Sequence, residues 1–293
     1  MKTPDDFGMI IDCGASDIYK PFAEIIKPQF LPLLDRPQYN NKRHPLAQVI
    51  VSHPHYDHCS EIQEVITAAD PLLLTTPHSN PNESDFDMHV NWSIVLESNK
   101  QEGRGTIEFL KEKINHRSPP LRAYLSDLPT AVADFEMRLF YIKPSICEKE
   151  LPKVDYTNNL SIVVHLRKGE NSIHFMGDLM PSGCEYLLET NDDFRIIVSK
   201  GISILVVPHH GLESGFCQSL FDCMPHGKVR FVNIISEKTM TSENQGKVDS
   251  RYQSSTHAGG YKGRYSLSTK NDGTLFLILG AGNKLEIHSN WQP

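Results

Sequence analysis

Three histidines and one aspartate stand together in the segment HPHYDH, residues 53–58, directly after the apolar run AQVIVS. The run predicts a buried strand, so the cluster follows the end of that strand. In an extended loop, alternate side chains point the same way, so His53 and His55 can bind one metal ion. Asp57 and His58 come where the chain turns into a helix and can face a second ion. Imidazole and carboxylate together suit zinc, manganese or iron.

Two further predicted strands end in residues of the same kinds. GD, residues 177–178, follows the run SIHFM, and PHHG, residues 208–211, follows ISILVV. Functional sites in α/β sheets gather at the carboxyl ends of strands. A carboxylate such as Asp178 can bridge two ions about 3.5–4 Å apart. Taken alone, Asp178 would more often cap a helix, and His209 and His210 would be turn residues about as often as ligands.

The segment HPHYDH resembles the signature of the metallo-β-lactamase fold. Three later motifs are similar to a narrower branch, the ComEC-type hydrolase domains of DNA-uptake competence proteins. These are Asn-x-x-Ser at 158–161, Gly-Asp at 177–178 and His-His-Gly at 209–211. The resemblance runs from about residue 8 to about residue 288, except for 78–135, which we interpret as an insertion or lid in a single domain, 1–293.

The resemblance implies an α/β fold, a metallo-β-lactamase-like four-layer αββα sandwich, with two divalent metal ions, Zn or Mn, between its sheets. Six residues are implied as metal ligands: His53, His55, Asp57, His58, Asp178 and His209. The first ion would take His53 and His55, the second would take Asp57, His58 and His209, and Asp178 would bind both.

The activity implied by the branch is hydrolysis of a phosphodiester, above all nuclease activity on DNA, through a hydroxide that bridges the metal ions. Asp57 would orient or deprotonate that water. His210 or His257 would assist the leaving group, although His210 could equally orient a neighbouring ligand. Asn158 and Ser161 are expected to contact the substrate, and the amide oxygen of Asn158 could also bind a metal.

One segment independently favours an anionic substrate. Residues 250–271 carry four basic side chains and no aspartate or glutamate. Arg251, Lys262 and Arg264 alternate there with tyrosines, and basic groups beside aromatic rings can hold phosphates and stack bases. An ordinary solvated loop explains the same composition nearly as well.

Composition limits the other classes. The net charge of −7 argues against a broad nucleic-acid-binding surface but is compatible with a local basic patch. The six cysteines are scattered and form no CxxC pair, which indicates reduced thiols in a cytoplasmic protein. No apolar run approaches the roughly 20 residues that span a bilayer, so we expect no membrane partner.

One departure from the pattern of the branch keeps alternatives open. The branch usually opens with a strand hairpin, but only seven residues precede GMIIDCG here. The chain could be a truncated form, its sheet could have an open edge, or a protein partner could complete that edge. The alternatives to a nuclease are a metallo-hydrolase of small phosphodiesters, esters or lactams, and a non-catalytic partner subunit that retains the fold.

Overall fold

The structure is a computed structural model. It describes residues 1–2, 8–15, 20–34, 46–71, 73–77, 90–99, 104–116, 135–225, 232–237, 247–279 and 284–289. The chain divides into two compact units, each built from two stretches. One joins Met1–Ser126 to Lys143–Leu160, and the other joins Asp127–Ile142 to Ser161–Pro293. Both units combine helices with β-sheet, which confirms the predicted α/β class.

The first unit is organised around a three-stranded parallel sheet in the order β1-β2-β3. Its strands are β1 Gly8–Ile11, β2 Leu46–Ile50 and β3 Leu73–Thr75. All five side chains of β2 are buried. A strand buried on both faces is mostly apolar without alternation, and its one polar side chain, Gln48, donates to the Thr75 hydroxyl at 2.6 Å.

Seven helices of the first unit lie in the described residues: α1 Leu31–Leu33, which continues the π-helical segment Phe22–Phe30, α2 Tyr56–Cys59, α3 Ile62–Ala69, α4 Trp92–Ser98, α5 Arg104–His116, α6 Pro144–Lys149 and α7 Tyr156–Asn159. Helix α3 matches the helical spacing of apolar residues in the sequence. Its four buried side chains are Ile62, Val65, Ile66 and Ala69, spaced at helical intervals. Ser16 is a typical helix cap and predicts a helix that begins near Asp17, a position outside the described residues.

Beside β1 lie the first two residues of the chain. Lys2 forms an antiparallel bridge with Gly8, and the Met9 N–H donates to the Met1 carbonyl at 2.8 Å. Met1 and Lys2 thus contact β1, whose parallel neighbour in the sheet is β2. A protein partner at this edge stays a prediction.

The second unit contains a six-stranded mixed sheet and a separate hairpin. The sheet order is β4-β5-β6-β7-β8-β9, antiparallel from β4 to β6 and parallel from β6 to β9. Its strands and the hairpin strands are β4 Phe135–Phe140, β5 Val163–Lys168, β6 Asn171–Phe175, β7 Ile204–Val206, β8 Val232–Ile235, β9 Ser266–Ser268, β10 Leu275–Leu279 and β11 Leu285–Ser289. The described helices are α8 Pro181–Thr190, α9 Asp192–Lys200, α10 Gln218–Cys223 and α11 Thr269–Asp272.

Apolar packing fixes this sheet on both faces. On one face, Ile173, Ile204 and Val232 form a core with the β10–β11 hairpin. On the other, Phe194 of α9 packs against Phe140, with ring centroids 5.2 Å apart. Because β6 and β7 run parallel in register, their carboxyl ends meet at the same edge.

Most predicted elements are present, with shifted ends. The apolar run LSIVVHL predicts a strand over 160–166, but the strand begins at Val163, because Tyr156–Asn159 form α7 and Leu160 ends that helix. No helix in the described part of the chain is long and apolar enough to cross a membrane.

Candidate metal centre

The loop after β2 brings its four predicted ligands together. His53 is fully buried and His58 is 8% exposed, while His55 and Asp57 are partly exposed. Nε2 of His53 lies 3.1 Å from Nδ1 of His55. A carboxylate oxygen of Asp57 and a ring nitrogen of His58 lie within 4.8 Å of each other. Each of the two predicted pairs is therefore close enough to share one ion.

Asp12, at the end of β1, controls the ring of His53 through Ser52. The Asp12 carboxylate accepts the Ser52 N–H at 2.6 Å and the Ser52 hydroxyl at 2.7 Å. A carboxylate only accepts, so the single hydroxyl proton of Ser52 points to Asp12. The Ser52 oxygen then accepts from Nδ1 of His53, 3.1 Å away. Nε2 of His53 therefore carries the lone pair that can bind a metal.

The same carboxylate orients His58. Nδ1 of His58 lies 2.9 Å from Oδ2 of Asp12, so it donates and makes Nε2 the candidate ligand atom. Sequence reasoning missed Asp12 as a functional residue. The available signal was its position at the carboxyl end of the strand GMIID, next to a strand that ends in ligands.

Close approach of two loops holds this arrangement in place. The Cys13 N–H donates to the His58 carbonyl at 2.8 Å. A Cβ atom on Gly14 would lie 1.5 Å from the Asp57 carbonyl oxygen, so only glycine fits there. The buried Cys59 thiol donates to the His55 carbonyl at 3.1 Å, and burial raises its pKa well above the usual value. The thiol is therefore protonated, and its hydrogen bond links Cys59 to the backbone of His55 within the ligand loop.

In the second unit, Asp178 and the two histidines after β7 form a second set. Asp178 is 3% exposed, and its N–H donates to the Ser161 hydroxyl at 3.0 Å. Nε2 of His210 lies 3.8 Å from Oδ2 of Asp178, while Nδ1 of His210 donates to the Ser236 carbonyl at 2.9 Å. Nδ1 of His209 lies 3.1 Å from the Ser214 hydroxyl. The predicted residues Asp178 and His210 are thus neighbours here.

The residues predicted to contact substrate lie in different surroundings. Ser161 is fully buried and holds the backbone of its neighbour Asp178. Asn158 lies in α7 of the first unit and is partly exposed. Lys262 is exposed, with its ammonium 5.3 Å from the centre of the Tyr261 ring. A role in substrate binding stays a prediction for all three.

Both predicted arginines are ion-paired. Arg251 binds Asp249 through Nε at 3.0 Å and through a second guanidinium nitrogen, and its guanidinium stacks 3.8 Å from the Phe216 ring centre. Arg264 binds the Asp272 carboxylate at 2.5 and 2.9 Å. The pairing lowers the pKa of both carboxyl groups. An anionic substrate would compete with these carboxylates for the guanidinium groups.

His257 lies in an aromatic setting. It is 8% exposed, with Phe216 and Phe221 ring centres 5.1 and 5.0 Å from its own. Its ring nitrogens face Ser254 at 3.2 Å and Gln218 at 3.3 Å. Burial lowers the pKa of His257. A neutral imidazole held in this way supports the packing of the segment, and its catalytic role stays a prediction.

No protein-family model matches the chain, and no curated protein sequence matches it. Among solved structures, Zn²⁺-bound PqqB from Methylobacterium extorquens matches 70% of this chain at 9% identity with a TM-score of 0.33. That match covers 57% of the PqqB chain, less than two thirds of its length. The metallo-β-lactamase MIM-1 from Novosphingobium pentaromativorans matches 71% of this chain and 68% of its own at 16% identity, with a TM-score of 0.29.

Proposed function

We propose that the chain is a metal-dependent hydrolase of the metallo-β-lactamase type. The HPHYDH, GD and HHG motifs support this family. The observation that carries the proposal is the 3.1 Å between Nε2 of His53 and Nδ1 of His55. Two nitrogens on one tetrahedral zinc lie about 3.3 Å apart, given Zn–N distances of about 2.0–2.1 Å. The donor set and its spacing thus fit a divalent ion.

In this proposal the resemblance to the ComEC-type branch supplies the set of ligands for two ions. The proposed ligands are His53, His55, Asp57, His58, Asp178 and His209. Imidazole and carboxylate ligands suit Zn or Mn. When bound, such ions polarise the scissile bond and lower the pKa of water.

The chain's own groups supply the remaining chemistry. Asp57 is partly exposed and carries a carboxylate that can orient water or accept its proton. His210 holds its Nδ1 proton on the Ser236 carbonyl, so its Nε2 is the atom that can transfer a proton to a leaving group. Asp12 acts through Ser52 and His58 by fixing which ring nitrogen carries the lone pair.

The proposed substrate is a phosphodiester, and DNA is the first candidate because the competence-type motifs lead to it. A specific observation favours a second candidate, a small phosphodiester. Arg251 and Arg264 are each neutralised by a carboxylate, and the chain carries a net charge of −7. Both features weaken the attraction of a long polyanion.

One experiment tests the proposal. Metal content is measured by mass spectrometry for the wild type, for Asp57→Asn and for the control Asp70→Asn, an exposed aspartate at the end of α3. The same three proteins are assayed with Zn²⁺, Mn²⁺ or EDTA on four substrates: single-stranded DNA, double-stranded DNA, bis(p-nitrophenyl) phosphate and p-nitrophenyl acetate.

We expect EDTA-sensitive hydrolysis of phosphodiesters that is lost in Asp57→Asn and retained in Asp70→Asn. Cleavage of the small diester without DNA cleavage would select the second candidate. Hydrolysis of the acetate alone would overturn the phosphodiester part. Absence of both bound metal and metal-dependent turnover would overturn the whole proposal and favour a non-catalytic partner subunit.

A further inference from the structure

The C-terminal end of α4 lies on the loop that carries the ligand candidates. The side chain of Asn99, 8% exposed, accepts the Tyr56 N–H at 2.7 Å through Oδ1. Its Nδ2 donates to the Pro54 carbonyl at 2.7 Å and to the Val95 carbonyl at 2.8 Å. Asn99 thus fixes the backbone on both sides of His55.

Ser98, the neighbouring residue, contacts the ring of His55. Its hydroxyl oxygen lies 2.9 Å from the Val95 carbonyl, 2.9 Å from Oγ1 of Thr157 and 3.2 Å from Nε2 of His55. A hydroxyl has one proton and two lone pairs, and a carbonyl only accepts. The Ser98 proton is therefore donated to Val95. Its two lone pairs then accept from Thr157 and from the Nε2–H of His55.

This assignment places the lone pair of His55 on Nδ1. That atom lies 3.1 Å from Nε2 of His53, whose own lone pair is set by Ser52 and Asp12. Two lone pairs that face each other at this distance repel unless a cation lies between them. The hydroxyl of Ser98 thus prepares His55 to bind an ion before the ion arrives.

The far end of α4 is tied to the remainder of its unit. The Asn91 N–H donates to the Tyr156 hydroxyl at 2.7 Å, and the Asn91 side-chain amide donates to Glu148 at 2.9 Å. Tyr156 is fully buried. Because both ends of the helix are held, the position of Ser98 is defined relative to the ligand loop.

We propose that Ser98 is a positioning residue that selects Nδ1 of His55 as the metal-binding atom, with Asn99 fixing the loop at the required distance. The inference rests on the proposed function, since it concerns affinity for the ion. It also gives a role to two residues of the segment that the sequence assigned to an insertion or lid.

The test compares Ser98→Ala with Ser98→Thr, which keeps the hydroxyl, and with Ser93→Ala, the same change at an exposed position of the same helix. Alanine is a better helix former than serine, and Ser98 is exposed, so Ser98→Ala should fold. The tautomer of His55 is read from ring-nitrogen NMR shifts of metal-free, ¹⁵N-histidine-labelled protein. Zn²⁺ affinity is measured by competition with a chromophoric chelator.

We expect the Nε2–H tautomer of His55 in the wild type and a mixture of tautomers in Ser98→Ala. The affinity of Ser98→Ala for Zn²⁺ should fall about 10–100-fold, the usual effect of removing an outer hydrogen-bond partner. In Ser98→Thr and in Ser93→Ala, both the tautomer of His55 and the affinity for Zn²⁺ should equal those of the wild type.

Thr157→Val tests whether the direction of the Ser98 hydrogen bonds, and not only their number, sets the tautomer of His55. It removes one donor to Ser98 but leaves the Ser98 proton on Val95, so the tautomer of His55 should not change. An unchanged tautomer and unchanged Zn²⁺ affinity in Ser98→Ala would overturn the inference and leave the proposed function intact. If the wild type binds no Zn²⁺, the proposed function and the metal-binding role of Ser98 both fail, while the spectra of Ser98→Ala still show whether it sets the tautomer.

Discussion

The Nδ1 atom of His58 donates a 2.9 Å hydrogen bond to the carboxylate of Asp12, which joins the loop after β2 to the end of β1. Asp12 adopts a left-handed backbone conformation, with φ of 57°. Its carboxylate also accepts two hydrogen bonds from Ser52. One carboxylate thus fixes the ring orientation of two histidines, although it was not among the predicted ligands.

We expect Asp12→Asn to weaken metal binding about 10–100-fold, because an amide cannot accept all three of these hydrogen bonds. Asp70→Asn is the matched control, since Asp70 also has positive φ, 44°, and asparagine tolerates that region equally well. Metal affinity and stoichiometry of both variants are the measurement. Equal affinity in Asp12→Asn and in the control would contradict the role of Asp12.

Ser161 offers a test between a substrate contact and a positioning role. It is fully buried, and its hydroxyl accepts the Asp178 N–H at 3.0 Å. If this contact is its function, Ser161→Ala should lower metal affinity and kcat while leaving KM unchanged. Ser203→Ala is the control, because the Ser203 hydroxyl accepts the Ser172 N–H at 3.1 Å in the same way. A raised KM with unchanged metal affinity would instead support the predicted substrate contact.

Gly14 and Gly105 form a contrasting pair. A Cβ atom on Gly14 would lie 1.5 Å from the Asp57 carbonyl oxygen, whereas one on Gly105 would meet nothing within 4 Å. Gly14→Ala should therefore lower the melting temperature and the metal content together, because the loop that carries Asp57 must move. Gly105→Ala, inside α5, should stabilise the protein by about 0.5–1 kcal/mol. Thermal unfolding of both variants checks this, and a stable, metal-loaded Gly14→Ala would refute the close approach.

Two buried histidines predict loss of stability in acid. His165 and His174 face each other across β5 and β6, with ring centres 4.6 Å apart and exposures of 2% and 0%. Burial lowers the pKa of His165 to about 4 and that of His174 well below its usual value. Glu136 opposes this shift for His165, while Arg138 adds to it.

Above a pH of about 6.5 both rings are neutral in the folded and unfolded chains and contribute no pH dependence. As the pH falls from about 6.5 toward 4, the unfolded chain binds protons that the folded one does not, so stability decreases. Each histidine contributes at most about 1.4 kcal/mol per pH unit. Urea unfolding across this range should show the free energy of unfolding decreasing as the pH falls. In His174→Phe this decrease should be smaller by the contribution of one histidine. Equal slopes in the two proteins would contradict the assignment.

Local patterns predicted the parts of this chain that depend on local sequence. The apolar spacing of α3 and the mostly apolar run of β2 predicted correct elements, with ends shifted by a few residues. The grouping of His53 with His55 followed from their spacing alone. By contrast, α9 and β9 carried no pattern that sequence analysis recognised.

Contacts between distant residues account for what the sequence could not predict. Asp12 reaches His58 across 46 positions, and Ser98 reaches His55 across 43. No periodic pattern in the sequence predicts either of these pairs. The basic segment was misjudged at shorter range, because Asp272, which pairs with Arg264, lies just past the end of the segment.

The two consecutive histidines after β7 both adopt left-handed backbone conformations, with φ of 49° for His209 and 55° for His210. For residues other than glycine this costs about 1–2 kcal/mol each. Selection in the laboratory for heat resistance alone should therefore replace them early with glycine or asparagine, whereas selection for turnover should keep them. The two kinds of selection would therefore produce different residues at the same two positions.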